Sequence, residues 1–153
     1  MESKKSRYRY TIIELAGKVN ASMPDYVINK TVIALKSIGK DINKSKILLL
    51  GLAYKKNVDD LRESPSLEIL DKLIKLGGNV KYSDPYINSI PRMRKYNFSL
   101  SSSVINSKNL NNADLILLAT DHDDFDYDFI EKEANLIVDS HNRFNNSEKV
   151  VKA

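Results

Sequence analysis

One stretch, Ile47 to Leu67, constrains the fold more than any other part of the chain. It begins with an unbroken apolar run up to Leu50, which is typical of a strand buried on both faces of a parallel sheet. Gly51 ends this run, and a long charged loop follows. Ser64 then provides a helix N-cap, and Pro65 suits the first helical turn because its missing N–H is not needed there. The stretch therefore predicts a strand, a long loop and a helix, which Gly77 and Gly78 end.

The loop between Gly51 and Ser64 contains twelve residues, whereas strand-to-helix loops in such units usually have about two to six. A loop of this length is usually functional or disordered. Its apolar and oppositely charged side chains argue against disorder, because they can pack and pair with one another. It also brings Lys55 and Arg62 close to a helix N-terminus, where unpaired N–H groups and the helix dipole favour an anion. The loop is therefore a candidate site for a phosphate or a pyrophosphate.

The rest of the chain alternates apolar runs with helical patterns. Three further strands are predicted: Asn79 to Ser83, Ala113 to Ala119 and Asn135 to Val138. A short helix is predicted from Asn106 to Asn112, and an acidic helix around Phe129. This alternation predicts an α/β fold, a Rossmann-like three-layer structure whose parallel sheet has helices on both faces. Phe98 to Leu100 is a candidate short strand, and the tail after Asn145 is predicted to be frayed.

A long or kinked N-terminal helix is predicted before the first strand, from Tyr10 to Gly39, with an interruption near Pro24. Its second half carries one apolar stripe: Val27, Thr31, Ala34, Leu35 and Ile38. Because this helix lies outside the alternating unit, the stripe has no obvious partner in the small domain. We therefore expect it to form a homodimer, the alternative being a plain packing helix. The predicted organisation is an N-terminal helical segment (1–43), a Rossmann-like domain (44–145) and a tail (146–153).

Composition excludes several classes of protein and of site. The 153 residues are 42% hydrophobic and 29% charged, which is typical of one globular domain. No apolar run approaches the ~20 residues that cross a bilayer, and the start lacks the apolar core of a signal peptide, so a cytoplasmic protein without membrane contact is expected. The net charge of +4 is too small to predict nucleic-acid binding. The absence of cysteine excludes disulfides, thiolate metal sites and thiol nucleophiles.

Acidic residues follow the predicted strands at the edge where open α/β sheets bind ligands. Asp84 ends the second strand, and an acid in this position binds a ribose in many dinucleotide folds. Two interpretations stay open: Asp84 holds a ribose, or Asp84-Pro85 is a turn that redirects the chain, which is favoured. The GxGxxG fingerprint is absent, so the domain is not expected to bind NAD in the ordinary Rossmann manner.

His122 stands among a series of aspartates: Asp121, Asp123, Asp124, Asp126 and Asp128. One histidine among acids is a poor ligand set for a transition metal. Carboxylates are also favourable at the start of a helix, because they complement its dipole. A solvated helix start is therefore predicted here, and no metal ligand.

The segment GLAYKKNVDDLRESPS resembles the signature at the start of the C-terminal domain of the UDP-glucose/GDP-mannose dehydrogenase family. The resemblance extends to VNASMPDYV upstream and, in order and spacing, to Asp84-Pro85, to Thr120-Asp121-His122 and to Val138-Asp139-Ser140-His141-Asn142. It implies the nucleotide-sugar-binding domain of an NAD-dependent enzyme that oxidises the sugar C6 alcohol to a carboxylate. The ligand would be a UDP-sugar or a GDP-sugar, and the N-terminal segment would be the end of a central dimerisation helix.

The resemblance also implies a division of labour. The family uses a cysteine and an NAD-binding N-terminal domain, which this sequence does not contain, so the chain alone is expected to be inactive and to hold no catalytic residue. NAD would be bound mainly by that domain, in cis or in trans. The alternatives are a stand-alone nucleotide-binding or regulatory module without oxidoreductase activity, and a structural dimerisation piece.

Residue roles follow from the same resemblance. Tyr54 and Lys55 match the pair that contacts the nucleotide sugar, and Arg62 matches an arginine that reaches NAD on the other domain. His141 stands where the family usually has an arginine, so either Arg143 substitutes or the substrate is held less tightly. The alternative for the loop is an internal network of ion pairs: Lys55, Asp59, Asp60, Arg62 and Glu63.

Overall fold

The computed structural model describes residues 23–153. Its strands are β1 (Lys46–Leu50), β2 (Asn79–Ser83), β3 (Leu115–Leu118), β4 (Ile137–Asp139) and β5 (Val150–Lys152). Its helices are α1 (residues 23–37), α2 (Pro65–Lys75), α3 (Ser107–Asn112) and α4 (Tyr127–Glu133). All strands of the described part are parallel and form one sheet in the order β2-β1-β3-β4-β5. The predicted Rossmann-like α/β fold is therefore confirmed.

The central strand β1 shows why the sheet has two apolar faces. Ile47 and Leu49 belong to the core on one face, together with α1 and α2. Leu48 and Leu50 belong to the core on the other face, together with residues of α3 and α4. Successive side chains of a strand point to opposite faces, so an unbroken apolar run requires cover on both. The three layers follow directly from this pattern.

The apolar stripe predicted on the N-terminal helix is buried within the chain's own core, except for Ile38, which follows α1 and is 45% exposed. Val27, Ala34 and Leu35 are almost fully buried there. Thr31 is also buried, and its hydroxyl donates to the carbonyl oxygen of Val27 at 2.8 Å. The prediction that this stripe lacks a partner in the small domain is therefore wrong. The crossover from β1 to β2 supplies only α2 to this face, which leaves room for α1 beside it.

Helix α2 has the ends that the sequence predicts. The hydroxyl of Ser64 accepts the N–H of Ser66, and Pro65 occupies the first turn. At the other end Gly77 has a φ of +92°, a left-handed conformation that favours glycine. Its N–H donates to the carbonyl of Ile74 at 3.0 Å. These local signals fix where the helix begins and ends.

Two sequence predictions outside the central unit are wrong. The tail is not frayed, because Val150–Lys152 forms β5 and pairs in parallel with β4. Phe98 to Leu100 is not a strand. The side chains of Phe98 and Leu100 are partly buried and pack against the core on the α1 and α2 side of the sheet. Tertiary packing rather than local pattern decides both cases. Among residues 23–153, no helix is long and apolar enough to cross a bilayer.

Candidate functional site

The β1–α2 loop, residues 51–64, leaves the sheet at its carboxyl edge. From β1 the chain passes through α2 on one face to β2, and then through α3 on the opposite face to β3. Since β2 and β3 flank β1, the carboxyl ends of β1 and β3 form the topological switch point of the sheet. Open α/β sheets bind ligands at such points. The loop therefore stands where a ligand site is expected.

Gly51 allows the loop to leave β1 against the end of β3. Its φ is +87°, and a Cβ at this position would overlap the carbonyl oxygen of Thr120. Glycine is therefore required by both backbone conformation and space. The hydroxyl of Thr120 donates to the carbonyl of Ala53 at 2.8 Å and lies 2.9 Å from the hydroxyl of Ser66. The end of β3 thus ties the start of the loop to the first turn of α2.

The first turn of α2 is closed by the loop itself. The hydroxyl of Ser64 accepts the N–H of Ser66 and donates to the carbonyl of Leu52 at 2.6 Å. The N–H of Leu67 donates to the carbonyl of Ser64 at 3.2 Å, and both serines are buried. The prediction of free N–H groups at this helix end is therefore wrong, because the loop satisfies them. An anion at this loop would therefore be bound by groups of the loop rather than by the N-terminus of α2.

Asp84 follows β2, and its carboxylate binds the backbone at the beginning of the β1–α2 loop. Its Oδ2 accepts the N–H groups of Leu52 at 2.8 Å and Ala53 at 3.3 Å, and its Oδ1 accepts that of Tyr86 at 2.8 Å. The side chain is fully buried. Burial raises the pKa of Asp84, but hydrogen bonds from His122 and from the backbone outweigh it and lower that pKa below 3.8. With these acceptors occupied, the structure supports the chain-redirecting turn rather than a ribose ligand.

His122 is a buried residue of this site whose position the sequence did not predict. It is fully buried, between the rings of Tyr86 and Phe125, and the predicted solvated position is wrong because α4 begins only at Tyr127. Its Nε2 lies 2.8 Å from Oδ2 of Asp84. A usable signal was present: Asp84 and His122 follow strands that flank β1, so they can meet beneath the loop that leaves β1.

The tip of the loop is fastened through Asn57. Its backbone N–H donates to Nδ1 of His122 at 2.8 Å. Its side-chain amide donates to Oδ2 of Asp123 at 2.7 Å and accepts the N–H of that residue at 2.9 Å. Asn57 has a φ of +65°, which asparagine tolerates better than most residues. The segment after β3 therefore holds the loop tip by three hydrogen bonds.

A second buried aspartate ends β4. Oδ1 of Asp139 accepts the N–H of His141 at 3.0 Å, and its Oδ2 accepts the N–H of Phe144 at 2.9 Å. Nζ of Lys152 on β5 lies 2.8 Å from the same oxygen. Burial raises the pKa of Asp139, but Lys152 and the backbone donors outweigh it and lower that pKa. This ion pair closes the far edge of the sheet.

The family model for the UDP binding domain of the UDP-glucose/GDP-mannose dehydrogenase family matches residues 48–146, which include the β1–α2 loop and both buried aspartates. The chain belongs to this family. Its match is to that domain, which confirms the resemblance seen in the sequence. The matched region begins within β1 and ends within the loop between β4 and β5.

Individual family members support the same assignment. A UDP-N-acetyl-D-mannosamine dehydrogenase from Methanococcus vannielii is 35% identical over 144 residues, which cover 88% of this chain and 31% of that protein. The crystal structure of an NDP-N-acetyl-D-galactosaminuronic acid dehydrogenase from Methanosarcina mazei is 31% identical with a TM-score of 0.73, covering 91% of this chain and 30% of that one. A UDP-D-ManNAc dehydrogenase from Pyrococcus horikoshii is 25% identical with a TM-score of 0.71, covering 93% and 32%. The chain therefore spans about a third of these relatives.

Three of the residues expected to contact ligands, Tyr54, Lys55 and Arg62, lie on the β1–α2 loop and are exposed to solvent. Tyr54 is 54% exposed, and Lys55 is exposed with no ion pair recorded among residues 23–153. The side chain of Arg62 is 88% exposed and binds Asp60 through Nε at 3.1 Å and Nη2 at 3.0 Å. The hydrogen bond between them raises the pKa of Arg62 and lowers that of Asp60. Of the alternative loop network, the described part contains only this pair.

His141 and Arg143 lie on the neighbouring side, beyond β3. Nε2 of His141 lies 2.9 Å from the carbonyl oxygen of Ala119. Nη1 of Arg143 lies 3.1 Å from Asp123 and 3.4 Å from Asp121, and its guanidinium lies over the ring of Tyr127, 4.4 Å from the centroid. Both side chains are held by intramolecular contacts. Since Asp123 also binds Asn57, Arg143 is connected to the tip of the β1–α2 loop.

Two kinds of bound group can be tested against these residues. Within residues 23–153, no group of three or more His, Asp or Glu side chains is arranged to hold a metal ion. An NAD molecule bound as in a standard Rossmann domain needs a ribose-binding acid and an open helix N-terminus. Asp84 is saturated by its own chain and the first turn of α2 is closed. The described residues therefore do not fit NAD in that manner.

Proposed function

We propose that this chain is the nucleotide-sugar-binding part of an NAD-dependent dehydrogenase, and that the β1–α2 loop binds the diphosphate-linked nucleotide. The observation that carries the proposal is the loop's construction. Its base is fastened by buried hydrogen bonds and its tip by hydrogen bonds of Asn57, while Tyr54 and Lys55 remain exposed at the switch point of the sheet. A fixed backbone with an open ring and an open cation suits a ligand that combines a base or sugar with phosphates.

The names of the relatives support a class of substrate. Relatives from Methanococcus vannielii and Campylobacter jejuni are both UDP-N-acetyl-D-mannosamine dehydrogenases. Others act on NDP-linked N-acetylgalactosaminuronic acid by name, and the family description includes GDP-mannose. We therefore propose a UDP-linked N-acetylated sugar as the first ligand to test, with GDP-linked sugars as the comparison.

In the proposed enzyme, two NAD molecules would each accept one hydride in two successive oxidations, which convert the sugar C6 alcohol and one water molecule to the carboxylate. No residue of this chain is assigned to that chemistry, and the chain contains no cysteine. The contribution proposed for it is binding and orientation. Lys55 would neutralise a phosphate, Tyr54 would flank the base or the sugar, and Arg62 would reach NAD held by an N-terminal domain in cis or in trans. His141 and Arg143 would contact the sugar end from the adjacent loop.

Calorimetry of the intact chain with UDP, UDP-N-acetylmannosamine, UDP-N-acetylglucosamine and GDP tests this proposal. We expect weak binding, near millimolar and thus about 4 kcal/mol, because only one side of the ligand is contacted. Lys55→Ala should weaken binding by about 1.5 to 3 kcal/mol, the value of a charge-assisted hydrogen bond. Lys56→Ala is the matched control, since it removes the same charge one position away. Equal losses in both variants, or no loss in Lys55→Ala, would contradict the assignment.

A homodimer is also proposed, through the outer face of α1. The inner stripe is covered, but Tyr26 is 49% exposed and Ile33 is 61% exposed on the helix surface that faces away from the core. These side chains lie seven residues apart and so share one helix face. Sedimentation of the intact chain should give a dimer that Ile33→Lys dissociates. A wild-type chain that remains monomeric at high concentration would remove this proposal.

A further inference from the structure

The hydrogen bonds around His122 determine where its proton lies. A backbone N–H can only donate, so Nδ1, which receives the N–H of Asn57 at 2.8 Å, carries no proton. Nε2 faces Oδ2 of Asp84 at 2.8 Å, and that oxygen also accepts the N–H of Leu52. An ionised carboxylate accepts both contacts without conflict. The ring is therefore neutral, with its proton on Nε2 and donated to Asp84.

This tautomer connects two parts of the chain that are distant in sequence. Asp84 belongs to the end of β2, and Asn57 belongs to the tip of the β1–α2 loop. The imidazole spans them, because one nitrogen donates to the first and the other accepts from the second. Among the ionisable amino-acid types, only neutral histidine carries a hydrogen-bond donor and an acceptor as two atoms of one rigid ring. The ring therefore holds the loop tip at a fixed distance from the end of β2.

The backbone of the loop tip is held by this connection, beside the two hydrogen bonds that the side chain of Asn57 forms with Asp123. Among residues 23–153, no hydrogen bond is recorded for the backbone or side chain of Lys55 or Lys56. The nearest attachments are the N–H of Tyr54, which donates to the carbonyl of Asp60 at 2.7 Å, and Asn57 itself. Lys55 is thus positioned from one side by the loop base and from the other by Asn57.

We propose that His122 is a positioning residue for nucleotide binding, which in its neutral Nε2–H form fixes Asn57 and thereby presets the backbone of Lys55. The role rests on the proposed function, because it concerns the same loop and the same ligand. It predicts that the acceptor at Nδ1 matters for binding, whereas the donor at Nε2 matters mainly for the stability of the strand end. The two contacts of one side chain should therefore be separable.

Two substitutions separate them. In His122→Asn the side-chain oxygen can take the place of Nδ1 and accept from Asn57, but the contact with Asp84 is lost. In His122→Gln the side-chain amide can take the place of Nε2 and donate to Asp84, but the acceptor for Asn57 is lost. Amide hydrogen exchange of Asn57 in the free chain should stay slow in the first variant and accelerate about tenfold in the second. Affinity for UDP should follow the exchange and weaken about tenfold only in His122→Gln.

Nitrogen-15 NMR of the wild-type ring provides a test that needs no variant. A proton on Nε2 and a bare Nδ1 at neutral pH are expected in the free chain. An imidazolium, or a proton on Nδ1, would overturn the inference, as would equal exchange and equal affinity in the two variants when their unfolding free energies match. If the wild-type chain does not bind UDP at all, the proposed function fails. The tautomer and exchange measurements still decide whether His122 holds the loop tip.

Discussion

Two buried aspartates, Asp84 at the end of β2 and Asp139 at the end of β4, both hold the segment that follows their strand, but they have different side-chain partners: His122 for Asp84 and Lys152 for Asp139. Each carboxylate is removed from water and accepts backbone N–H groups of the segment that follows its strand. Each pKa is lowered although burial acts in the opposite direction. Such a charge is tolerated in the interior only when hydrogen bonds satisfy it. The ends of β2 and β4 therefore share one device, a buried aspartate that binds backbone N–H groups.

The partners explain why one aspartate is connected to the β1–α2 loop and the other closes an edge of the sheet. Lys152 is a cation with donors only, and besides Asp139 its Nζ contacts the carbonyl of Phe144 in the same local segment. His122 carries a donor and an acceptor, so it passes the connection on to Asn57 in another loop. A lysine at the first site would end the chain of contacts at Asp84. The comparison shows that the neutral imidazole of His122 is suited to positioning a second loop, whereas the ion pair of Lys152 and Asp139 only holds β5 at the edge of the sheet.

The largest expected effect comes from removing the carboxylate that supports the β1–α2 loop. Asp84→Ala leaves the buried N–H groups of Leu52, of Tyr86 and of the His122 ring without an acceptor. We expect the free energy of unfolding to fall by about 4 kcal/mol, because each unsatisfied buried donor costs about 1 to 3 kcal/mol. Urea titration measures this loss. Asp84→Asn, which keeps one acceptor oxygen, should lose about half as much, and equal losses would argue against the hydrogen bonds as the cause.

The second effect tests the ion pair at the far edge. Lys152→Met leaves Asp139 charged and without its cation, and breaking a fully buried pair in this way costs about 3 to 5 kcal/mol. We expect about 2 kcal/mol, because the Lys152 side chain is 31% exposed and water partly replaces the cation. Lys152→Arg is the control and should retain most of the stability. UDP binding should not change in Lys152→Met, in contrast to variants at the β1–α2 loop.

A smaller effect is the response to acid. The folded pKa values of Asp84 and Asp139 lie below their ordinary value of 3.8. Their contribution to stability is therefore fully present above that value and is lost as the pH falls below it, through the folded pKa values. Urea titrations between pH 6 and pH 3 should show this loss at the acid end. Asp84→Asn and Asp139→Asn should each flatten the dependence, and an unchanged slope in both would contradict the pKa directions.

The sequence predicted the central unit well because its signals are local. The apolar run of β1, the Ser64 cap, Pro65 and Gly77 each act within a few residues, and the structure places them as expected. The carboxyl edge could also be predicted, because parallel strands must present their ends together. Prediction failed where a distant partner decides. Lys152 forms β5 because β4 offers an edge and Asp139 a charge, neither of which lies next to it in sequence.

The site shows the same division. That residues 51–64 form an ordered loop followed from their length and composition. The closure of the α2 N-terminus did not, because the hydroxyl of Ser64 was expected to cap the helix but not also to bind Leu52. The burial of His122 was hidden by the aspartates around it, which suggest a solvated segment. Its burial depends on Asp84 and Asn57, both far away in the sequence.

The central claim is that the β1–α2 loop is the nucleotide site. The most direct test is a two-dimensional NMR titration of the nitrogen-15-labelled chain with UDP. The largest amide shifts should lie in residues 51–66, including Asn57. These shifts should be lost in Lys55→Ala and retained in Lys56→Ala. If the amides of residues 51–66 stay still while others shift, or if Lys55→Ala responds as the wild type does, the nucleotide binds elsewhere and the account is contradicted.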